Sequence, residues 1–233
     1  MNDTTRLWCV VPAAGVGKRF GSAVPKQYLQ VNGARVVEHT LNRLLQLSEI
    51  EQVVVAISNE DQQFRQLPVA SHQRVTTVVG GDERCHSVLN GLRLLSGVGE
   101  EQDWVLVHDV ARPCVRPEDI RKLVQQVQQL DAVGGILANP VRDTMKRANP
   151  INQIVETVDR RQLWHALTPQ LFRLGALRQA LETALEAGVV VTDEASAMEH
   201  GGHQPLLVEG HCDNIKITPP QDLHLASLYL QQQ

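Results

Sequence analysis

Residues 7–27, LWCVVPAAGVGKRFGSAVPKQ, join an apolar run to a loop of small residues and then to three cations, Lys18, Arg19 and Lys26. The run LWCVV has no polar break, which is the pattern of a strand covered on both faces in a parallel sheet. Pro12, Ala13, Ala14, Gly15 and Gly17 carry small side chains or none. A polyphosphate can therefore lie against their backbone N–H groups while nearby cations neutralise it. A strand that ends in such a loop predicts an open α/β sheet with its ligand at the strand's carboxyl end. An ordinary turn between strand and helix, with surface cations, is the plainer alternative for this stretch taken alone.

Working outward, short β-branched runs alternate with helical periodicity. Strands are expected at 7–11, 53–58, 75–79 and 104–108, with helices at 36–47, 84–95 and 117–130 between them, an order that spells βαβ repetition. In the first helix Val37, Leu41, Leu44 and Leu45 share one stripe and Glu38, Asn42, Arg43 and Gln46 face away, so it covers a sheet. From 141 to 160 the pattern becomes VRDTMKRANPINQIVETVDR, with rough period-two alternation and a turn signal at Asn149–Pro150. This predicts an exposed two-stranded hairpin. Helices at 171–187 and 194–200, strands at 205–208 and 214–218, and a helix at 221–230 complete the chain. The expected fold is a doubly wound, mostly parallel α/β sheet in one domain over 1–233, with 140–163 as a protruding β-hairpin arm. A lone hairpin is marginal in water, so the arm is expected to dock on a second copy of the chain, giving a homodimer. Folding back onto its own domain is the alternative.

Composition fixes the setting. Apolar residues make up 42% of the 233 residues but aromatics only 3%, so the core must be built from Val, Leu, Ile and Ala. A net charge of −4 argues against a nucleic-acid footprint spread over a face, and any anion site must be local. Cys9, Cys85, Cys114 and Cys212 form no CxxC pair, and the start MNDTTRLW lacks a signal-peptide pattern. No apolar run approaches the ~20 residues of a membrane span, so a cytoplasmic protein without membrane contact is expected.

The chemistry-bearing residues fall at strand ends. GxxxxGK[ST] is absent, which excludes a Walker loop, and Phe20 occupies the third glycine position of a dinucleotide fingerprint. Gly80–Gly81–Asp82 ends a strand and precedes a helix carrying Ser87. Fixed donors and acceptors there could read the edge of a base, unless Asp82 merely caps the helix. Asp109 follows WVLVH and can accept from a hydroxyl or hold a metal, with Arg112 beside it; a loop ion pair is the bland alternative. Thr192 or Asp193 reads as an N-cap, and a helix start also accepts phosphate. Lys216, between two isoleucines, matters only if it points into the cleft. His200, His203, His211 and Cys212 fit no zinc spacing, and the metal ligands stay open.

Taken together, PAAGVGKRFGSAVPKQYL, VVGGDERCHSVLNGL, VLVHDVARPC, PVRDTMKR, TVDRRQLWHALTPQ, VTDEASAME and DNIKIT closely resemble the 2-C-methyl-D-erythritol 4-phosphate cytidylyltransferase family. The resemblance implies a Rossmann-like nucleotidyltransferase fold and cytidylyl transfer from CTP to a small polyol phosphate, with Mg²⁺ and release of pyrophosphate. By the same resemblance, Pro12, Ala13, Ala14, Gly81, Asp82 and Ser87 would hold the nucleoside, and Gly15, Gly17, Arg19 and Lys26 the triphosphate. Asp109, Arg112, Thr168, Thr192 and Lys216 would line the polyol phosphate site, with Thr144 and Arg160 reaching in from a partner's arm. Arg19, Lys26, Arg160 and Lys216 would be catalytic. Val110 stands where the family often has alanine, and Lys18 where it often has arginine. A ribitol 5-phosphate cytidylyltransferase and a non-catalytic nucleotide-binding dimer are the competing readings.

Overall fold

A computed structural model describes residues 5–15 and 24–233. Its centre is a seven-stranded sheet. The strands are β1 (Leu7–Pro12), β4 (Ile50–Ile57), β5 (Val75–Val79), β6 (Trp104–Val107), β7 (Gly134–Pro140), β10 (Trp164–Arg173) and β11 (Leu206–Glu209), in the order β11-β7-β10-β6-β1-β4-β5. Only β10 runs against its neighbours; every other pairing in this sheet is parallel. A two-residue ladder of β2 (Gln30–Val31) and β3 (Ala34–Arg35), closed at Asn32–Gly33, precedes the first helix.

The helices are α1 (Val36–Leu45), the single turn α2 (Gln62–Arg65), α3 (Arg84–Ser96), α4 (Pro117–Gln129), α5 (Leu174–Glu186), α6 (Glu194–His200) and α7 (Gln221–Gln232). Strand periodicity sorts the core into two layers. Cys9, Val11, Val53, Val55 and Leu106 pack with α1 and α4, whereas Val10, Val54, Val105 and Val107 pack with α3 and α5. Because both faces are covered, β1 and β6 at the centre can be written without polar residues. Each fully buried Val or Leu contributes about 1.5–3 kcal/mol relative to exposure. Among the described residues no helix is long and apolar enough to cross a membrane.

The arm consists of β8 (Met145–Ala148) and β9 (Ile154–Val158), paired antiparallel from Met145–Val158 to Ala148–Ile154 with a bulge before Ala148. The Asn149 side chain accepts from the N–H groups of Ile151 and Gln153 and closes the turn, as Asn does in such loops.

Two expectations from the sequence need correction. The expected helix at 171–187 starts at Leu174, because residues 171–173 complete β10, which pairs with both β6 and β7. β7 and β10 themselves are strands that the sequence reading missed. The expected strand at 214–218 joins no ladder: Ile217 N–H bonds the Ala111 carbonyl at 2.8 Å, in the loop that follows β6.

Candidate active site

β1, β5 and β6 all end on the same side of the sheet, and their carboxyl ends open into a cleft of about 700 Å³. It is lined by Pro12, Ala13, Ala14, Gly15, Lys26, Gly81, Asp82, Ser87, Asp109 and Lys216, ten of the residues singled out from sequence. Gly17 and Arg19 lie outside the described residues. Arg112 and Thr168 are buried directly behind Asp109, whereas Thr192 is exposed at the start of α6 and Thr144 and Arg160 are exposed on the arm.

The floor is shaped by close approach. A Cβ at Gly80 would sit 2.4 Å from Ala14 Cβ and 2.8 Å from Ser87 Oγ, so only glycine lets β5 meet the β1 loop there. Ser87 Oγ accepts the Gly81 N–H at 3.1 Å and holds the turn rigid. Asp82 is exposed on the rim and does not cap α3; Glu83 occupies that position without a side-chain cap. Gln27, buried, donates to the carbonyls of Ala13 and Gly15 at 3.0 and 3.1 Å and fixes the backbone of the opening loop. Lys26 Nζ donates to the Ile217 carbonyl at 2.8 Å, which ties this ammonium to the segment that carries Lys216.

Asp109 is the electrostatic centre. Its Oδ1 accepts from Arg84 Nε at 2.8 Å; its Oδ2 meets Lys216 Nζ at 2.9 Å and Arg112 Nε at 3.4 Å. Burial opposes ionisation, but Arg84 foremost, then Lys216 and Arg112, hold the carboxyl far below the usual carboxylate range. Lys216 therefore does point into the cleft, and the ion pair of Asp109 with Arg112 is real without being the whole arrangement.

Behind Asp109 a chain of directional hydrogen bonds continues. A bulge in β10, where the register slips between Ala166 and Gln170, presents Thr168 Oγ1 to the Asp109 N–H at 3.0 Å. With its oxygen so engaged, the Thr168 hydroxyl gives its proton to His108 Nδ1 at 3.0 Å, leaving Nε2–H to donate to the Arg112 carbonyl at 3.1 Å. Burial pushes the His108 pKa down to about 4, consistent with a neutral ring. Arg112 Nη1 donates to the Asn214 carbonyl at 2.8 Å, and Asn214 Nδ2 to the Thr168 carbonyl at 2.8 Å.

Sequence reasoning missed Arg84, Glu194, His108 and Gln27. One signal was available. A cation at the first position of a helix opposes the helix dipole, so Arg84 demanded an anionic partner. Glu194 gave none, since an acid in a first turn is ordinary. The plain reading of Asp193 is correct: it caps α6, reciprocally with Ser196.

Parallel strands that end in a cleft floored by glycine and alanine and walled by ammonium and guanidinium groups suit a nucleotide's polyphosphate, and the chain has a nucleotidyltransferase fold. The model of the 2-C-methyl-D-erythritol 4-phosphate cytidylyltransferase family matches residues 7–232, and the chain belongs to that family. It is 53% identical over 229 residues to the enzyme of this name from Vibrio vulnificus, covering 98% of this chain and 96% of that one. A relative of the same name from Serratia proteamaculans is 53% identical over 224 residues, 96% of this chain and 93% of that one. Among solved structures, the Francisella tularensis enzyme of this name superposes with a TM-score of 0.83 at 35% identity, over 97% of this chain and all (100%) of the other. Membership makes the chain a CTP-dependent cytidylyltransferase of isoprenoid biosynthesis, and sets aside the ribitol 5-phosphate and non-catalytic readings.

Proposed function

We propose that CTP lies with its base against Gly81, Asp82 and Ser87 and its ribose against Pro12, Ala13 and Ala14. Its triphosphate then runs over Gly15 and Gly17 toward Arg19 and Lys26. 2-C-Methyl-D-erythritol 4-phosphate binds beyond it, a hydroxyl on Asp109 and its phosphate near Lys216, with Arg112 and Thr168 holding Asp109 from behind. Thr192 is the outermost member of this set. The observation that carries the reading is the juxtaposition of Lys26 and Lys216, joined through the Ile217 carbonyl, at the mouth of the glycine-floored cleft.

The reaction joins two polyanions, so repulsion is the obstacle and no protein nucleophile is required. A phosphate oxygen of the acceptor forms a bond to the α-phosphorus while the bond from that phosphorus to the α,β-bridging oxygen breaks, and pyrophosphate departs with the electron pair. Lys216 and Arg160 orient the attacking phosphate; Arg19 and Lys26 take up charge as it gathers on the phosphoryl oxygens and the leaving group. Mg²⁺ supplies further charge neutralisation when bound. No three potential ligand side chains cluster among the described residues.

The arm supports a homodimer with shared sites. Ile154 and Val155, successive residues of β9 and so on opposite faces of the hairpin, are 67% and 63% exposed, and Ile151 at the turn is 71% exposed, apolar surface that a second subunit would cover. Thr144 and Arg160 are exposed and line no part of their own chain's cleft, which fits residues that serve a neighbour. The free thiols, three of the four buried, suit a reducing compartment, and we place the enzyme in the cytoplasm.

Subunit mixing tests the shared site. Lys26→Ala and Arg160→Ala proteins are each expected to be nearly inactive. Unfolded and refolded together, they should recover about a quarter of wild-type activity, because half the dimers are mixed and each holds one intact site. No recovery, with mixed dimers shown to form, contradicts the shared site.

A further inference from the structure

We propose that Glu194, acting through Arg84, is a positioning residue that aims Asp109 at the acceptor; this rests on the reading of Asp109 as the group that receives the acceptor's hydroxyl. Glu194 opens α6, is fully buried and lies 110 residues from Arg84 in sequence. Its two oxygens take a forked pair of bonds from Arg84, Nη1 to Oε1 at 2.7 Å and Nη2 to Oε2 at 3.0 Å. That fork fixes the guanidinium plane, and the remaining inward donor, Nε, then points at Asp109 Oδ1 at 2.8 Å.

Two consequences follow. Oδ1 is held by a clamped partner, so Oδ2 is the oxygen at which partners can change. There Lys216, half-exposed on a segment without a ladder, is the neighbour able to move away when a hydroxyl and a phosphate arrive. Glu194 also neutralises Arg84. Without it the group would hold three cations, Arg84, Arg112 and Lys216, against one anion, and a phosphate would be drawn to Arg84 as readily as to Lys216.

The scaffold beneath Glu194 is rigid in the same direction. Gln170 donates to Asp193 Oδ2 at 2.8 Å and accepts the Ala195 N–H at 2.9 Å, bracketing Glu194 from β10. Thr168 on β10 holds the backbone of Asp109. β10, α6, α3 and the end of β6 thus form a closed circuit of hydrogen bonds with Asp109 as its open point. A buried ion pair is a poor means of gaining stability compared with apolar packing, whereas it fixes direction well.

The test is a double-mutant cycle on the full-length enzyme, with 2-C-methyl-D-erythritol 4-phosphate and CTP each varied at saturating levels of the other. Glu194→Gln and Asp109→Asn are each expected to raise the acceptor KM roughly tenfold or more, with the CTP KM within about twofold. The double variant should be no worse than Asp109→Asn alone, since the clamp then has nothing left to aim. An unchanged acceptor KM in Glu194→Gln, multiplying effects in the double variant, or a parallel rise in CTP KM overturns the proposal. An unchanged acceptor KM in Asp109→Asn removes the reading of Asp109 itself, which separates the two failures. If the Gln variant does not fold, Glu194→Asp keeps the charge and withdraws the fork. Its acceptor KM should then rise by a smaller factor, and wild-type values overturn the proposal.

Discussion

Lys26→Ala is expected to lower kcat by about 100-fold or more, the scale on which deleting one preorganised charge-stabilising donor acts, while the fold and its melting temperature stay close to wild type. The ammonium is positioned by the fold rather than by substrate: Lys26 begins a single 3-10 turn, Lys26–Tyr28, and its Nζ is bonded to the Ile217 carbonyl on the opposite side of the cleft. Charge placed there before the reaction needs no reorganisation as the leaving group develops. The effect should fall on kcat more than on the CTP KM, because negative charge shifts toward the leaving pyrophosphate only on the way to the transition state. Steady-state kinetics with a pyrophosphate readout decides it. A variant with near-normal kcat would remove Lys26 from the chemistry.

Asp109→Ala is expected to cost about 3–5 kcal/mol of stability, the penalty of breaking a buried charge network by removing one partner, and to abolish measurable acceptor binding. Arg84, Arg112 and Lys216 converge on this one carboxylate, and Asp109 is only 6% exposed. Its loss leaves Arg112 buried beside Arg84 with no carboxylate between them. Equilibrium urea unfolding gives the stability change, and titration calorimetry with 2-C-methyl-D-erythritol 4-phosphate in the presence of an unreactive CTP analogue gives the binding. A loss below about 1 kcal/mol would mean that the cations find other partners and that Asp109 is not their centre.

Which parts of this were legible in the sequence follows a physical division. β1, β5, α3 and α6 could be read closely because each announces itself locally: a β-branched run, a glycine stop or a capped helical stripe. The two missed strands lack such marks. β7 begins Gly134–Gly135, which reads as a turn, yet a Cβ at Gly134 would strike the Phe172 ring at 2.1 Å, so the glycine serves strand contact. β10 contains Pro169 and a bulge, which erase its alternation. Residues 214–218 err the other way, with strand-like alternation and no ladder to join.

The site divides in the same manner. Residues contributed by backbone shape, Ala13, Ala14, Gly15 and Gly81, and the acid at a strand end, Asp109, could be singled out by position in the sequence, with an ordinary turn and a loop ion pair as the open alternatives. Arg84 and Glu194 take their meaning from each other across the fold, and no local pattern pairs them. Thr168 came only from the resemblance to a known family, and Lys216, whose own pattern left its direction open, took its role from it; their places behind and beside Asp109 depend on the β10 bulge and on the Ile217–Ala111 bond.

Two negatively charged reactants are expected to meet in the cleft between the 12–15 loop, Gly81–Asp82 and Asp109. Crystals soaked with CTP and Mg²⁺ test it most directly. The expected density places the cytosine beside Ser87 and the α-phosphate within reach of Lys26, on the side facing Lys216. A nucleotide bound elsewhere, with Lys26 and Lys216 both distant from its phosphates, would mean that transfer does not take place in this cleft.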